Sequence, residues 1–115
     1  MNQIIIKDLS VNYRVGVPDA ERAQPQKLLI TLVMDYDFSA AAKTDDIRGT
    51  VDYSLVTQRL LRFGDRRNWK LIETLAYEIA ETITREYRLQ SIQVEIKKFI
   101  IPEAAHVGVR VTYPS

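Results

Sequence analysis

The chain has no cysteine among its 115 residues. That removes disulfides, thiolate nucleophiles and cysteine-based metal sites, and it fits a reducing compartment. Histidine occurs once, as His106. One imidazole and no thiol leave a single chain without the ligands that a zinc ion takes from His and Cys, so no metal is expected. Glycine and proline number four each, too few for a collagen-like or low-complexity segment. An excess of one charge is also missing: 16 basic against 15 acidic residues leave a net +1, with no stripe of either sign. A nucleic-acid or membrane-surface partner has no electrostatic footprint here. The opening MNQIIIKDLS carries an apolar run too short for a signal peptide or a membrane span. A soluble, cytoplasmic protein is the expectation.

What is there fits one globular domain over residues 1–115, with 46% hydrophobic and 27% charged residues. NQIIIKDLSV, residues 2–11, is rich in Ile and Val and predicts a first strand. NYRVGVPDAERAQPQ follows, with two prolines and one glycine, and predicts a long connection. In KLLITLVMDYDF, Leu28, Ile30, Leu32, Met34 and Tyr36 share one face while Thr31, Asp35 and Asp37 take the other. That alternation predicts a half-buried strand.

SAAAKTDDIRGTVDY predicts a loop with a short helical turn. A helix then runs from about Tyr53 to Gly64, and a second from about Leu71 to Tyr87 with Ile72, Leu75, Ala76, Ile79 and Ile83 on one face. SIQVEIKKF and HVGVRVTY predict two closing strands. The order is β-β-α-α-β-β, an α+β fold with a four-stranded antiparallel sheet and both helices on one face. The other face carries Thr31, Gln93, Glu95, Arg110 and Thr112, so it meets water or a wet interface. His106 shares the parity of Gly108 and Arg110 and belongs to that polar face.

Two positions invite chemistry. In the third strand Ile92, Val94 and Ile96 face the core, and strict period two places Lys98 next in that row, with Lys97 on the polar face. The Lys98 amine must snorkel out or find a polar pocket, where it is available for proton transfer. In NWKLIETLAYEIAE, Glu73 follows Leu71 and Ile72 at the opening of a helix. A carboxylate there is favoured by the helix dipole, and it is equally placed to hold a ligand.

Several separated segments point the same way. GVPDAERAQPQ with Gly16, Glu21 and Gln26, AAKTDDI, TVDY with Tyr53, LIETLAYEIA with Glu73, and VEIKK followed by HVGV span Ile4 to Val111. In order and spacing the chain resembles the dihydroneopterin aldolases, members of the tunnelling-fold class of pterin- and purine-binding enzymes. The resemblance implies that Glu73 anchors a pterin through its 2-amino group and ring NH, with the Ile72 backbone against the same ring. It implies that Glu21 lies near the substrate side chain, and that Tyr53 and Lys98 handle protons. The implied reaction is retro-aldol cleavage of 7,8-dihydroneopterin with neither cofactor, metal nor Schiff base.

It also implies self-association into a tetrameric or octameric ring with sites between subunits, so that Glu21 or Tyr53 can come from a different chain than Glu73. The related dihydroneopterin triphosphate 2'-epimerase, with Arg22 and Lys27 as candidate phosphate contacts, is the alternative. A catalytically inactive pterin-binding oligomer is a third possibility. The chain departs from the family pattern in KKFIIPEAAHV, with Phe99 after the lysine pair, and at Asp52.

Overall fold

Alternation in the second strand sets the centre of the molecule: Leu28, Ile30, Leu32 and Met34 are fully buried, and the residues between them are not. The computed structural model describes residues 1–115. Its elements are β1 (Gln3–Val15), α1 (Asp19–Arg22), β2 (Gln26–Asp35), α2 (Ser39–Thr44), a 3-10 turn (Ile47–Gly49), α3 (Tyr53–Phe63), β3 (Asn68–Trp69), α4 (Ile72–Tyr87), β4 (Ser91–Lys98) and β5 (Val107–Tyr113).

The sheet runs in the order β3-β1-β2-β4-β5. Its four long strands are antiparallel neighbours, as the sequence predicts, but a fifth strand is present. β3 is two residues long and pairs parallel with Arg14 and Val15 of β1. Two residues carry no periodicity, so nothing in the pattern announces it. The first strand also runs on to Val15 rather than ending near Val11. A bulge is the reason. The register shifts between Ile6 and Leu9, with Asp8 in the left-handed region at φ 53°. Before it the core-facing residues are Ile4 and Ile6; after it they are Val11, Tyr13 and Val15. The extra residue inverts the face parity, which breaks the simple alternation a strand is read from.

Both long helices are amphipathic and close one face of the sheet. Asp52 caps α3 by accepting a hydrogen bond from the Ser54 amide at 2.9 Å, and Gly64 stands at the other end. α4 starts without a side-chain cap and stops where Arg88 turns left-handed. Val56, Leu60 and Phe63 of α3 and Leu75, Ala76, Ile79, Ala80 and Ile83 of α4 join the buried strand residues in one core. Each large aliphatic side chain so buried contributes about 1.5–3 kcal/mol. The opposite face is polar: Arg110 pairs with its cross-strand neighbour Glu95 at 2.6 Å, and Lys97 with Asp8 at 3.1 Å. No helix is long and apolar enough to cross a membrane.

Candidate active site

The register decides which residues can meet. Tyr13 pairs with Gln26, Leu28 with Lys98, and Lys98 with Val107. The end of β1, the start of β2, the end of β4 and the start of β5 therefore share one end of the sheet. β3 docks on Val15 at that same end, and α4 begins directly after it. Ile72 and Glu73 thus lie at the end that carries Lys98.

Lys98 does not snorkel. Its Nζ lies 2.6 Å from Oε2 of Glu21, and the two side chains are only 13% and 17% exposed. Parity carries Lys98 to the core side and leaves both fates of its amine open; the contact with Glu21 is what separates them. Glu21 reaches it from α1, a four-residue turn in the connection between β1 and β2. That connection is pinned by backbone carbonyls: Arg14 donates to the carbonyls of Arg22 and Ala23, and Arg22 donates to those of Gly16 and Val17 at 2.8 Å each. Gln26 completes the cluster by donating to Oε2 of Glu21 at 2.9 Å and to the Val15 carbonyl at 2.7 Å. The ammonium of Lys98 first, and the Gln26 amide second, hold the Glu21 carboxyl below the usual glutamate range, against the opposing effect of burial.

Glu73 sits in the first turn of α4, exposed to solvent, and takes part in none of the ion pairs. It stands at a helix start, where a negative side chain interacts favourably with the helix dipole. Ile72 beside it is half-buried against the core.

Tyr53 is elsewhere. It is 62% exposed at the first position of α3 and borders an apolar hollow of about 400 Å³ with Gln3, Ile4, Phe38, Ala42 and Val51. Gln3 pairs with Asp35 and Asp35 with Ser91, so this hollow lies at the opposite end of the sheet. From Ser91 to Lys98 the strand spans roughly 23 Å at about 3.3 Å per residue, farther than a tyrosine side chain reaches. Within one chain the fold unites Glu21, Lys98, Ile72 and Glu73 at one end and leaves Tyr53 at the other.

Several other charged residues have structural partners. Arg22 is engaged with two carbonyls and with Asp19 at 2.5 Å, and its side chain is 16% exposed. Lys27 stands over the Phe99 ring at 5.6 Å. Asp52 is the cap of α3. Lys97 lies on the polar face, as its parity requires, but paired with Asp8 rather than freely solvated. His106 is exposed on that side and meets Phe99 edge to face. The structural role of Gln26 had no sequence signal beyond its place in the GVPDAERAQPQ segment, because the bond depends on how the connection folds back.

The profile of a protein family described as dihydroneopterin aldolase matches residues 4–112. A dihydroneopterin aldolase of Haemophilus influenzae is 34% identical over 110 residues, which cover 95% of this chain and 93% of that protein. A dihydroneopterin triphosphate 2'-epimerase of Pseudomonas aeruginosa is 26% identical over 98 residues, covering 85% of this chain and 80% of its own length. The crystal structure of the Escherichia coli dihydroneopterin aldolase in complex with neopterin matches with a TM-score of 0.92 at 27% identity, over 97% of this chain and 98% of that one. With residues 4–112 matched by that profile, and 34% identity to a relative covered over 93% of its length, this chain belongs to the dihydroneopterin aldolase family.

Proposed function

We propose that the chain is a 7,8-dihydroneopterin aldolase, cleaving its substrate to 6-hydroxymethyl-7,8-dihydropterin and glycolaldehyde in folate biosynthesis. The observation that carries this reading is the Lys98–Glu21 pair at 2.6 Å, held at the sheet end where α4 presents Glu73. A carboxylate offers two acceptors to the two donors of a pterin edge, which is the role of Glu73, with the Ile72 backbone against the ring. Glu21 accepts from the hydroxyls of the substrate side chain.

Proton traffic does the rest. A proton leaves the 2'-hydroxyl, the bond between the first and second side-chain carbons breaks, and its electron pair moves into the ring C=N. Glycolaldehyde departs, and a proton returns to the enamine-like carbon. Lys98 and Tyr53 are the groups for these transfers. Since the dihydropterin ring accepts the electrons, the reaction needs neither a metal nor a lysine Schiff base. Because Tyr53 lies at the far end of its own chain, the site is completed by a neighbouring copy, in a tetrameric ring or an octamer of two rings. A cytoplasmic setting belongs to the same reading, consistent with a chain that has no cysteine.

The epimerase relative supports a second reading, since the same enamine intermediate, re-adding to the opposite face of the cleaved aldehyde that still carries the triphosphate, inverts the 2'-carbon. A triphosphate calls for free cations. Arg22 is committed to carbonyls and Asp19, and Lys27 lies over an aromatic ring, which favours the unphosphorylated substrate. Incubating the pure protein with 7,8-dihydroneopterin and quantifying glycolaldehyde tests the proposal. Turnover is expected, with kcat falling by about 10²–10⁴-fold in Lys98→Ala and changing less than about threefold in Lys97→Ala. Pterin binding without turnover would instead identify a binding oligomer.

A further inference from the structure

Glu21 is carried by a turn too short to orient a side chain through the backbone alone. Its carboxylate is nevertheless held from three sides. Oε2 accepts from Lys98 at 2.6 Å and from Gln26 at 2.9 Å. Gln26 sits at the first position of β2, and its Nε2 also donates to the Val15 carbonyl at 2.7 Å. The third side is Gly16, with φ +152°, where a Cβ would lie 2.2 Å from Cδ and 2.3 Å from Oε1 of Glu21. Any side chain at position 16 would occupy the space the carboxylate uses.

We propose that Gln26 is a positioning residue for the aldolase reaction. Its amide is braced on the Val15 carbonyl, and with the bare backbone of Gly16 it fixes Glu21 so that Oε2 serves Lys98 while Oε1 is left for a substrate hydroxyl. This inference rests on the aldolase reading above. The chemistry of the amide is specific. Both hydrogens of Nε2 are used, and a reversed amide would set its oxygen against two acceptors, so the orientation is determined. Asparagine is one methylene too short to span both partners. Glutamate has the right length, but it donates nothing and sets a second negative charge against Glu21.

The charged groups around the carboxylate are accounted for. Lys98 on β4 bonds it directly. Arg22 and Asp19 of its own turn pair with each other, and Arg14 of β1 is bound to carbonyls of the same connection. Removing the Gln26 donor therefore leaves one fixed contact, and the carboxylate is free to swing about it. Misplacement on that scale lowers the rate of the chemical step more than the binding of the ring, which Glu73 provides.

The test compares wild type with Gln26→Ala and Gln26→Glu in two measurements. One is kcat and KM on 7,8-dihydroneopterin. The other is the titration of the Glu21 carboxyl carbon, followed by NMR in the substrate-free protein. Both variants are expected to lose about tenfold to a hundredfold in kcat with KM changed less than about threefold. The Glu21 midpoint should move upward in both, and farther in Gln26→Glu. An unmoved Glu21 titration overturns the proposal, whether kcat is retained or falls along with thermal stability. If wild type itself does not cleave the substrate, the aldolase reading fails, while the titration still decides whether Gln26 holds Glu21.

Discussion

At the scale of single residues, the Glu21 carboxyl links the site to pH. Its ordinary value is 4.5, and its value in the fold is lower, chiefly through the hydrogen bond from Lys98. A depressed carboxyl stabilises the fold above its unfolded-state value, and that contribution is lost as pH falls through the folded-state value. Asp8, Asp35, Asp37 and Asp46 are depressed as well, so acid weakens the protein for several reasons at once. Glu21→Gln isolates one of them. Urea unfolding of both proteins at pH 7 and pH 3.5 should show the advantage of wild type over the variant narrowing in acid. An equal gap at both values would mean that the pair with Lys98 adds nothing to the fold. The lysine half of this pair is legible in the sequence, because period two along Ile92, Val94 and Ile96 carries Lys98 to the core side whatever the rest of the chain does. The glutamate half is legible only by resemblance. Its position depends on a connection pinned by Arg14 and Arg22 to backbone carbonyls, contacts that no local pattern specifies.

Between elements, the joint of β1 with α3 depends on one buried tyrosine. Tyr13 donates its hydroxyl to the Leu60 carbonyl, and its ring lies 5.7 Å from that of Trp69. Gly64 closes the other side, where a Cβ would come within 2.5 Å of the Tyr13 ring. Tyr13→Phe should cost about 1–2 kcal/mol, since it strands a buried acceptor without opening a large cavity. Gly64→Ala should cost about 1–3 kcal/mol by forcing the ring from its place. Urea midpoints measure both, and a neutral Gly64→Ala would show that the end of α3 yields to the added methyl. Element boundaries were readable where physics is local. Gly64 marks the end of α3, and the 3.6-residue spacing from Ile72 to Ile83 marks α4. They were not readable where the signal is long-range. The bulge at Asp8 turns the face parity of β1 midway, and β3 exists only because Trp69 finds Val15 and a core site beside Phe63, 5.9 Å away.

For the whole molecule, one chain has a finished core, and its sheet edges are left without neighbours. β5 has no outer neighbour, and β3 covers only Arg14 and Val15 of β1, so both edges of the sheet are open. Open edges are surfaces that a protein must cover or pair. Exposed apolar residues gather beyond the Lys98 end, at Val17, Leu71, Phe99, Ile100 and Ile101, and around Tyr53, together with Ile47. In the ring proposed above, joined edge to edge, the same operation would repeat until it closes, and every site would draw on two adjacent copies. Two separately inactive variants can then restore each other. Tyr53→Ala keeps Lys98 and Glu73, and Lys98→Ala keeps Tyr53. When the two are co-refolded in equal amounts, about one interface in four combines an intact Lys98 with an intact Tyr53 by random assortment around the ring. Dihydroneopterin turnover should therefore rise from the background of either variant to about a quarter of the wild-type rate, and mixing already assembled rings without unfolding should give far less. Recovery absent after verified subunit exchange would place both residues of each site on one chain. The separation of Tyr53 from Lys98 along the sheet would then have to be bridged by rearrangement within that chain, which the buried core between the two ends opposes.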